Sequence, residues 1–210
     1  VKFGDLTTAD HIICGDALDK GVSGETCAIV VIDVATDMLA CYPMRRKNAD
    51  SAYEALNHFE GPTKCVALFH SDNAPEFIAA AKMIGWIHGK STPGVHESNA
   101  IAESAVRRVL NGTRAILYAS GLGDSFWSYA APCYCFLHNT AITDGDSPWN
   151  MRHGEGQFIG ERVPFGALVD YYPNPDDKDS TKWGPTGIPS ILLGCEMYPG
   201  MLWKKKYIVA

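Results

Sequence analysis

The sequence has little that would place the chain in a membrane or a secretory compartment. Its 210 residues include no apolar run long enough to cross a bilayer as a helix. The first residues, Val1-Lys2-Phe3-Gly4-Asp5, lack the charged and apolar regions of a signal peptide. We therefore expect a protein that is neither secreted nor held by a membrane. Since the sequence does not begin with Met, we also expect it to be a piece of a longer protein.

Cysteine is present, but not in a pattern that indicates disulfides or a metal. The seven cysteines form no Cys-x-x-Cys pair, and the closest two are Cys133 and Cys135. An odd number without regular spacing predicts buried, reduced thiols in an intracellular protein. The same spacing argues against a zinc site built from cysteine and histidine.

Positive charge is also scarce. Lys and Arg number 18 against 24 Asp and Glu, so the formal net charge is −6. This balance argues against a protein that coats nucleic acid by bulk electrostatics. It does not exclude a nuclease-like site, because a cluster of carboxylates is itself acidic and divalent cations offset its charge. Any strong binding to DNA would have to come from local basic groups, other domains or partners.

The hydrophobic pattern predicts an α/β domain with a mixed sheet over residues 1–145. Short connections indicate that the first three strands form an antiparallel meander. We predict strands at 6–14, 26–34, 38–44 and 64–70, a loop at 89–94, and helices at 49–59, 75–84, 98–120 and 125–138. Asn48 is a suitable N-cap for the first helix.

The composition changes after residue 145. Strand-like runs at 167–172, 190–195 and 203–209 flank an acidic, proline-rich loop at 173–187. We therefore predict a second unit at 146–210, a small β-rich C-terminal extension.

Three carboxylates lie on separate predicted elements. Asp10 is near the end of the first strand, Asp72 follows the fourth, and Glu103 lies in a helical pattern. Three carboxylates converging at one sheet edge are what a two-metal phosphoryl-transfer site requires. Each also has a simpler explanation: Asp10 as an ordinary strand-end residue, Asp72 as a turn cap before Ala74, and Glu103 as the partner of Arg107.

Other polar residues lie near these three carboxylates in the sequence, and each has a more ordinary or a rival role. Asp33, at the end of the second strand, is a rival acid, whereas Asp37 falls in a turn and is expected to be solvated. Glu76 lies in the first turn of a helix, where a negative charge suits the helix dipole. His11 adjoins Asp10 but should point to the opposite face of the strand, so we predict a structural role.

Several segments together resemble the integrase cores of retroviruses and retrotransposons, especially of the copia type. The core segments are Ala9-Asp10-His11, Ile32-Asp33-Val34-Ala35-Thr36, Ser71-Asp72-Asn73-Ala74-Pro75-Glu76-Phe77, Thr92-Pro93 and Asn99-Ala100-Ile101-Ala102-Glu103. In the extension, Ser147-Pro148-Trp149, Val163-Pro164-Phe165-Gly166 and Ile191-Leu192-Leu193-Gly194-Cys195 resemble copia-type segments more weakly. The matches touch most of the chain.

This resemblance implies a ribonuclease-H-like fold, with a mixed five-stranded sheet flanked by helices. It also implies that Asp10, Asp72 and Glu103 are catalytic and bind two Mg²⁺ or Mn²⁺ ions. It implies 3′-end processing of an element's DNA, followed by strand transfer into target DNA. The implied partners are element ends and target DNA, further copies of the chain and other regions of a polyprotein. The implied location is the nucleus during integration. No zinc-binding histidine and cysteine module of a full integrase is present in the sequence.

The sequence departs from the family pattern in three places. Thirty residues separate Asp72 from Glu103, fewer than is usual. Alanine replaces the usual glycine at positions 74 and 100, which would impose strain if either needed a positive φ. Ser104 follows Glu103, where an arginine or a similar residue is common.

Candidate DNA-contacting residues surround the predicted site; they are Asn73, Lys90, Asn99, Arg107 and Arg108. Two other functions remain open at this stage. One is a catalytically impaired, integrase-derived module for DNA binding or protein interaction. The other is a different ribonuclease-H-like nuclease or transposase.

Overall fold

A mixed five-stranded sheet forms the centre of the computed structural model, which describes residues 2–90, 99–172 and 183–210. The strands are β1 (Thr7–Ile13), β2 (Cys27–Asp33), β3 (Leu39–Met44), β4 (Phe69–Ser71) and β5 (His88–Lys90). Their order is β3-β2-β1-β4-β5. The first three pair antiparallel, and β4 and β5 add parallel to β1. The predicted meander and mixed sheet are confirmed.

The sheet is covered on both faces, and β2 shows why. Every residue of Cys27–Asp33 is buried, as a near-continuous β-branched and apolar run predicts. Ile29 and Val31 pack into one apolar cluster, whereas Val30 and Ile32 pack into another on the opposite face. This alternation follows from the two-residue period of a strand.

Four helices provide the two covering layers. They are α1 (Ala49–Glu60), α2 (Pro75–Ile84), α3 (Ala100–Ser120) and α4 (Trp127–Asn139). α1 and α2 cover one face, and α3 and α4 cover the other. Asn48 caps α1 as predicted, its side chain accepting a hydrogen bond of 2.8 Å from the Ser51 amide. All four predicted helices are confirmed.

The five-stranded sheet is confirmed, but the fourth strand is shorter than predicted and the fifth was not located in the sequence. Residues 64–68 are not in the sheet: Lys64 has a φ of +43°, and the Ala67 amide donates to the Gly4 carbonyl instead. β5 occupies the start of the segment expected to be a loop, because three residues suffice to pair with β4. The Thr92-Pro93 motif and most of the acidic loop lie outside the described residues.

The C-terminal extension packs against the core. It contains α5 (Pro148–His153) and a three-stranded antiparallel sheet of β6 (Leu168–Tyr171), β7 (Ile188–Tyr198) and β8 (Leu202–Val209), in the order β6-β7-β8. The predicted extension strands are therefore confirmed. Phe165 and Leu193 pack in one cluster with Leu117 of α3 and Cys133 of α4. Across the residues that can be described, no helix is both long and apolar enough to span a membrane.

Candidate active site

Strand register places Asp10 beside Asp72. β1 and β4 run parallel, and Ala9 pairs with Ser71. Asp10 follows Ala9 within β1 and Asp72 directly follows Ser71, the last residue of β4, so the two are neighbours at the edge of the sheet where β4 ends. Because β3 runs in the same direction as β1, the chain that follows β3 also leaves the sheet on this side.

The third carboxylate comes from the start of α3. Asp10 lies on the face of β1 that α3 covers, since Ile12 packs there whereas Ala9 packs on the other face. Asn99, the residue before α3, donates from Nδ2 to Asp10 Oδ2 over 3.3 Å. Glu103 follows in the first turn of that helix and is exposed. The start of α3 is thereby tied to the strand that carries Asp10.

The three carboxylates repel one another at Asp10. Burial raises the pKa of Asp10 above its ordinary value, and the negative charges of Asp72 and Glu103 raise it further. The His11 amide and the Lys47 ammonium oppose this rise, but they do not cancel it. A cation bound between the carboxylates would relieve the repulsion, so the electrostatics favour a positively charged ligand here.

Part of each aspartate is already engaged. Asp72 Oδ1 accepts from the Ala74 amide at 3.1 Å, so the turn-cap explanation of Asp72 is correct as far as it goes. Asp10 Oδ1 accepts from the His11 amide at 2.7 Å. Because each carboxylate oxygen can accept more than one bond, these contacts do not prevent metal ligation.

The alanines that replace family glycines are not strained. Ala74 has a φ of −59° and ψ of 126°, an extended conformation open to any residue. Ala100 is the first residue of the regular helix α3. The condition for strain is therefore not met, because neither position requires a positive φ.

The donor set suits hard divalent cations such as Mg²⁺ or Mn²⁺, which prefer carboxylate oxygens. Within the described part of the chain, no three ligating side chains gather closely enough to hold one ion together. Asp10 interacts with both Asp72 and Glu103. The three carboxylates therefore influence one another electrostatically, but they do not meet around a single point.

The predicted DNA-contacting residues differ in their exposure and in their distance along the chain from the carboxylates. Lys90 ends β5 and pairs with Ser71, next to Asp72. Asn73 and Arg107 are exposed. Arg108, in contrast, makes a bidentate contact with Asp37 at 2.9 and 2.8 Å. Its guanidinium thus has a structural partner, and the DNA contacts of all these residues stay predictions.

Two acidic residues have structural roles. Asp33 is fully buried at the other end of the β1–β2 ladder, opposite Thr7, and its oxygens accept from the Gly4 and Thr36 amides. It therefore does not compete for the site. Asp37 is not simply solvated as predicted, because the turn that carries it brings it to Arg108 and to His138.

A cation at this edge was missed in the sequence. Lys47, between β3 and α1, lies 2.7 Å from Glu76 Oε1 and interacts electrostatically with both aspartates. Glu76 is buried, so its position in the first turn of α2 is only part of its role. The parallel direction of β1, β3 and β4 could have suggested this meeting, because the residues after β3 must emerge at the same edge as Asp10.

Together the sheet order, the two helical layers and the carboxylate-bearing edge define a ribonuclease-H-like fold of the kind found in integrase catalytic cores. The catalytic core domain of BIV integrase superposes with a TM-score of 0.51 and 18% identity, covering 70% of this chain and 92% of that one. A chain of a simian T-cell lymphotropic virus intasome, in complex with the PP2A regulatory subunit B56 gamma, superposes with a TM-score of 0.57 and 13% identity. That match covers 99% of this chain and 76% of the other.

In sequence, the chain is similar to the retrovirus-related Pol polyprotein from transposon TNT 1-94 of Nicotiana tabacum. The two are 24% identical over 97% of this chain, which spans 16% of the length of the polyprotein. No protein-family model matches the sequence. The similarity to a retrotransposon Pol polyprotein and the integrase-core fold agree with the resemblance inferred from the motifs.

Proposed function

We propose that this chain is an integrase catalytic core that cuts and joins DNA with the carboxylates Asp10, Asp72 and Glu103. The single observation that supports this most is the position of Asp10, which interacts with both other carboxylates on a fold shared with integrase cores. Phosphoryl transfer depends on positioning and charge stabilisation, which such a cluster can provide once cations are bound.

Each residue would have a separate task. Asp10, on the central strand β1, would hold the divalent ions together with Asp72 and Glu103. Bound ions would lower the pKa of the attacking water or 3′-hydroxyl and stabilise the leaving oxygen. Asn99 would orient Asp10 through the bond to its Oδ2. The reactions would be 3′-end processing and strand transfer, with Mg²⁺ or Mn²⁺ as cofactor.

Metal binding is the first test. Titration of the whole chain with Mn²⁺, followed by electron paramagnetic resonance, should detect two bound ions in the wild type. Asp10→Asn should abolish binding of both, and Asp72→Asn or Glu103→Gln should weaken one. Asp170→Asn, an exposed carboxylate on β6, is the matched control and should bind as the wild type does. Equal binding by all variants would contradict the ligand assignment.

Catalysis is the second test. Nicking of supercoiled plasmid in Mn²⁺ requires no knowledge of an element's end sequence, so it can be measured on this chain. Asp72→Asn and Glu103→Gln should each lower the nicking rate at least 100-fold, the loss of about 3 kcal/mol of transition-state stabilisation. Strand transfer should then be measured on a longer polyprotein segment. Nicking that survives both substitutions would contradict a catalytic role for the carboxylates.

A second candidate is a non-catalytic DNA-binding or interaction module on the same fold. The observation that favours it is the spread of the carboxylates, no three of which gather around one point among the residues described. Absence of bound Mn²⁺, together with measurable DNA binding, would support this alternative. Two bound ions would exclude it.

The partners and location follow from the proposed reaction. Joining two element ends to a target requires at least two active sites, so we propose that the chain acts as a homo-oligomer on element ends and target DNA. We further propose that it works beside other polyprotein-derived regions and in the nucleus. A complex assembled on paired DNA ends, measured by light scattering, should contain more than one copy of the chain.

A further inference from the structure

Lys47 is placed at the carboxylate-bearing edge by the topology of the sheet. It follows β3, whose C-terminal end lies at the same edge as those of β1 and β4. Its ammonium interacts electrostatically with both Asp10 and Asp72. It therefore supplies positive charge beside a cluster that is otherwise acidic.

A buried carboxylate holds this lysine in place. Lys47 Nζ lies 2.7 Å from Glu76 Oε1, and the Glu76 side chain is only 10% exposed. The close contact with Glu76 raises the pKa of Lys47, so the ammonium stays charged. Glu76 is anchored in turn by its place in the first turn of α2, directly after the turn that carries Asp72.

The neighbouring histidine does not replace Lys47 as the partner of Glu76. His11 Nε2 lies 3.8 Å from the same oxygen, and its ring stacks on Phe77 with centroids 4.3 Å apart. The Lys47 ammonium is closer to this oxygen, at 2.7 Å, so it is the direct partner of Glu76 and supplies the positive charge that faces it.

The ammonium nevertheless remains open to solvent. The Lys47 side chain is 41% exposed, so the contact with Glu76 does not enclose it. An ammonium has three donors, and one bond to Glu76 leaves two for another acceptor. A lysine that is held by a carboxylate, partly exposed and close enough to Asp10 and Asp72 to interact with both can contact a phosphate bound there.

We propose that Lys47 binds a backbone phosphate of the DNA that enters the carboxylate site, and that Glu76 is a positioning residue that aims its ammonium. This inference rests on the proposed function, because it takes nucleic acid as the ligand. It adds a phosphate-binding group to a chain whose net charge of −6 opposes DNA binding. One bound phosphate fixes the position of the next phosphate along the DNA strand. Lys47 would therefore help to determine which phosphodiester bond lies beside the ions.

The salt dependence of DNA binding tests the contact directly. Anisotropy of a fluorescein-labelled duplex, titrated with the whole chain in Ca²⁺ at several salt concentrations, gives the slope of log affinity against log salt. Lys47→Gln should make this slope shallower by about one, the amount expected for one lost phosphate contact. Lys47→Arg should restore it, because the positive charge returns. Lys82→Gln, an exposed lysine on α2, should leave the slope unchanged.

Glu76→Gln separates positioning from binding. It keeps the positive charge of Lys47 but removes the carboxylate that holds it, so affinity should fall while the slope changes by less than in Lys47→Gln. A slope for Lys47→Gln equal to those of the wild type and Lys82→Gln would overturn the proposal.

Chemical footprinting of the wild-type protein tests the contact even if the variants fold poorly. Acetylation of lysines, followed by mass spectrometry, should show Lys47 protected at least threefold by the duplex, with Lys82 unprotected. Equal modification of Lys47 with and without DNA would overturn the contact. Protection of Lys47 without plasmid nicking would uphold the contact and reject the catalytic function. Nicking that depends on Asp72 but leaves Lys47 unprotected would uphold the catalytic function and reject the contact.

Discussion

Asp37 shows how a single side chain joins three elements. It lies in the turn between β2 and β3 with a φ of +56°, a conformation that aspartate tolerates better than most residues. Arg108 of α3 donates two bonds to its carboxylate, and His138 Nε2 of α4 lies 3.0 Å from Oδ2. Partial burial raises the pKa of Asp37, but the bonds from His138 and Arg108 outweigh it and lower the pKa to about 2.

This lowered pKa predicts a pH-dependent contribution to stability. Asp37→Asn keeps the side-chain shape and the tolerance for positive φ but removes the charge. Because the Asp37 side chain is 46% exposed, solvent screens the pair and the loss at pH 7 should be only about 1 kcal/mol. The wild-type advantage should be complete above the unfolded pKa of 3.8 and should vanish as the pH falls toward 2.

Urea denaturation of both proteins between pH 7 and pH 3 measures this difference. Asp170→Asn is the control, since it removes a carboxylate of the extension and should cost little at any pH. A difference for Asp37→Asn that stays constant down to pH 3 would contradict the assigned pKa shift.

At the scale of elements, the contact of α3 with α4 depends on Gly112. A Cβ at this position would come within 2.1 Å of the Tyr134 ring. The glycine therefore lets the two helices approach, and α3 continues unbroken through it from Ala100 to Ser120. A residue that weakens a helix locally is here required by its packing.

Gly112→Ala is therefore expected to destabilise the protein. Helix propensity alone predicts a gain of about 1 kcal/mol, whereas overpacking against Tyr134 should cost about 1–3 kcal/mol. We expect the packing cost to exceed the gain, with a net loss measured by thermal or urea unfolding. Asn111→Ala, an exposed position on the same helix, is the control and should be neutral or stabilising. A more stable Gly112→Ala protein would show that Tyr134 moves aside at little cost.

The elements that could be predicted from sequence are those with a local signal. The buried run of β2, the Asn48 cap and the long periodic helices are each visible in neighbouring residues. The position of β5 could not be predicted, because three residues carry no period and pair only when β4 lies beside them. The same holds for the candidate site: motifs predict Asp10, Asp72 and Glu103, but the approach of Lys47 to Glu76 depends on the register and direction of distant strands.

At the scale of the whole molecule, Arg152 of α5 joins the extension to the core. Its Nη2 donates to the Phe59 and Glu60 carbonyls at the end of α1, and its Nε donates to the Gly200 carbonyl between β7 and β8. Its guanidinium also lies 3.6 Å above the centre of the Phe3 ring. Burial lowers the pKa of Arg152 to about 10, so it remains charged at neutral pH. Such a joint predicts that residues 1–145 and 146–210 unfold together, although the composition changes between them.

Arg152→Met tests this joint, because it keeps apolar contact with Phe3 but leaves three carbonyls without their donor. The loss should be about 3 kcal/mol, near 1 kcal/mol for each hydrogen bond. Amide hydrogen exchange followed by mass spectrometry should show β2 of the core and β7 of the extension losing protection by the same amount, as expected of one cooperative unit. Arg162→Met is the control, since this exposed arginine donates to one carbonyl, that of Leu137. If β7 lost protection while β2 kept it, the extension would be an independent domain that merely rests on the core.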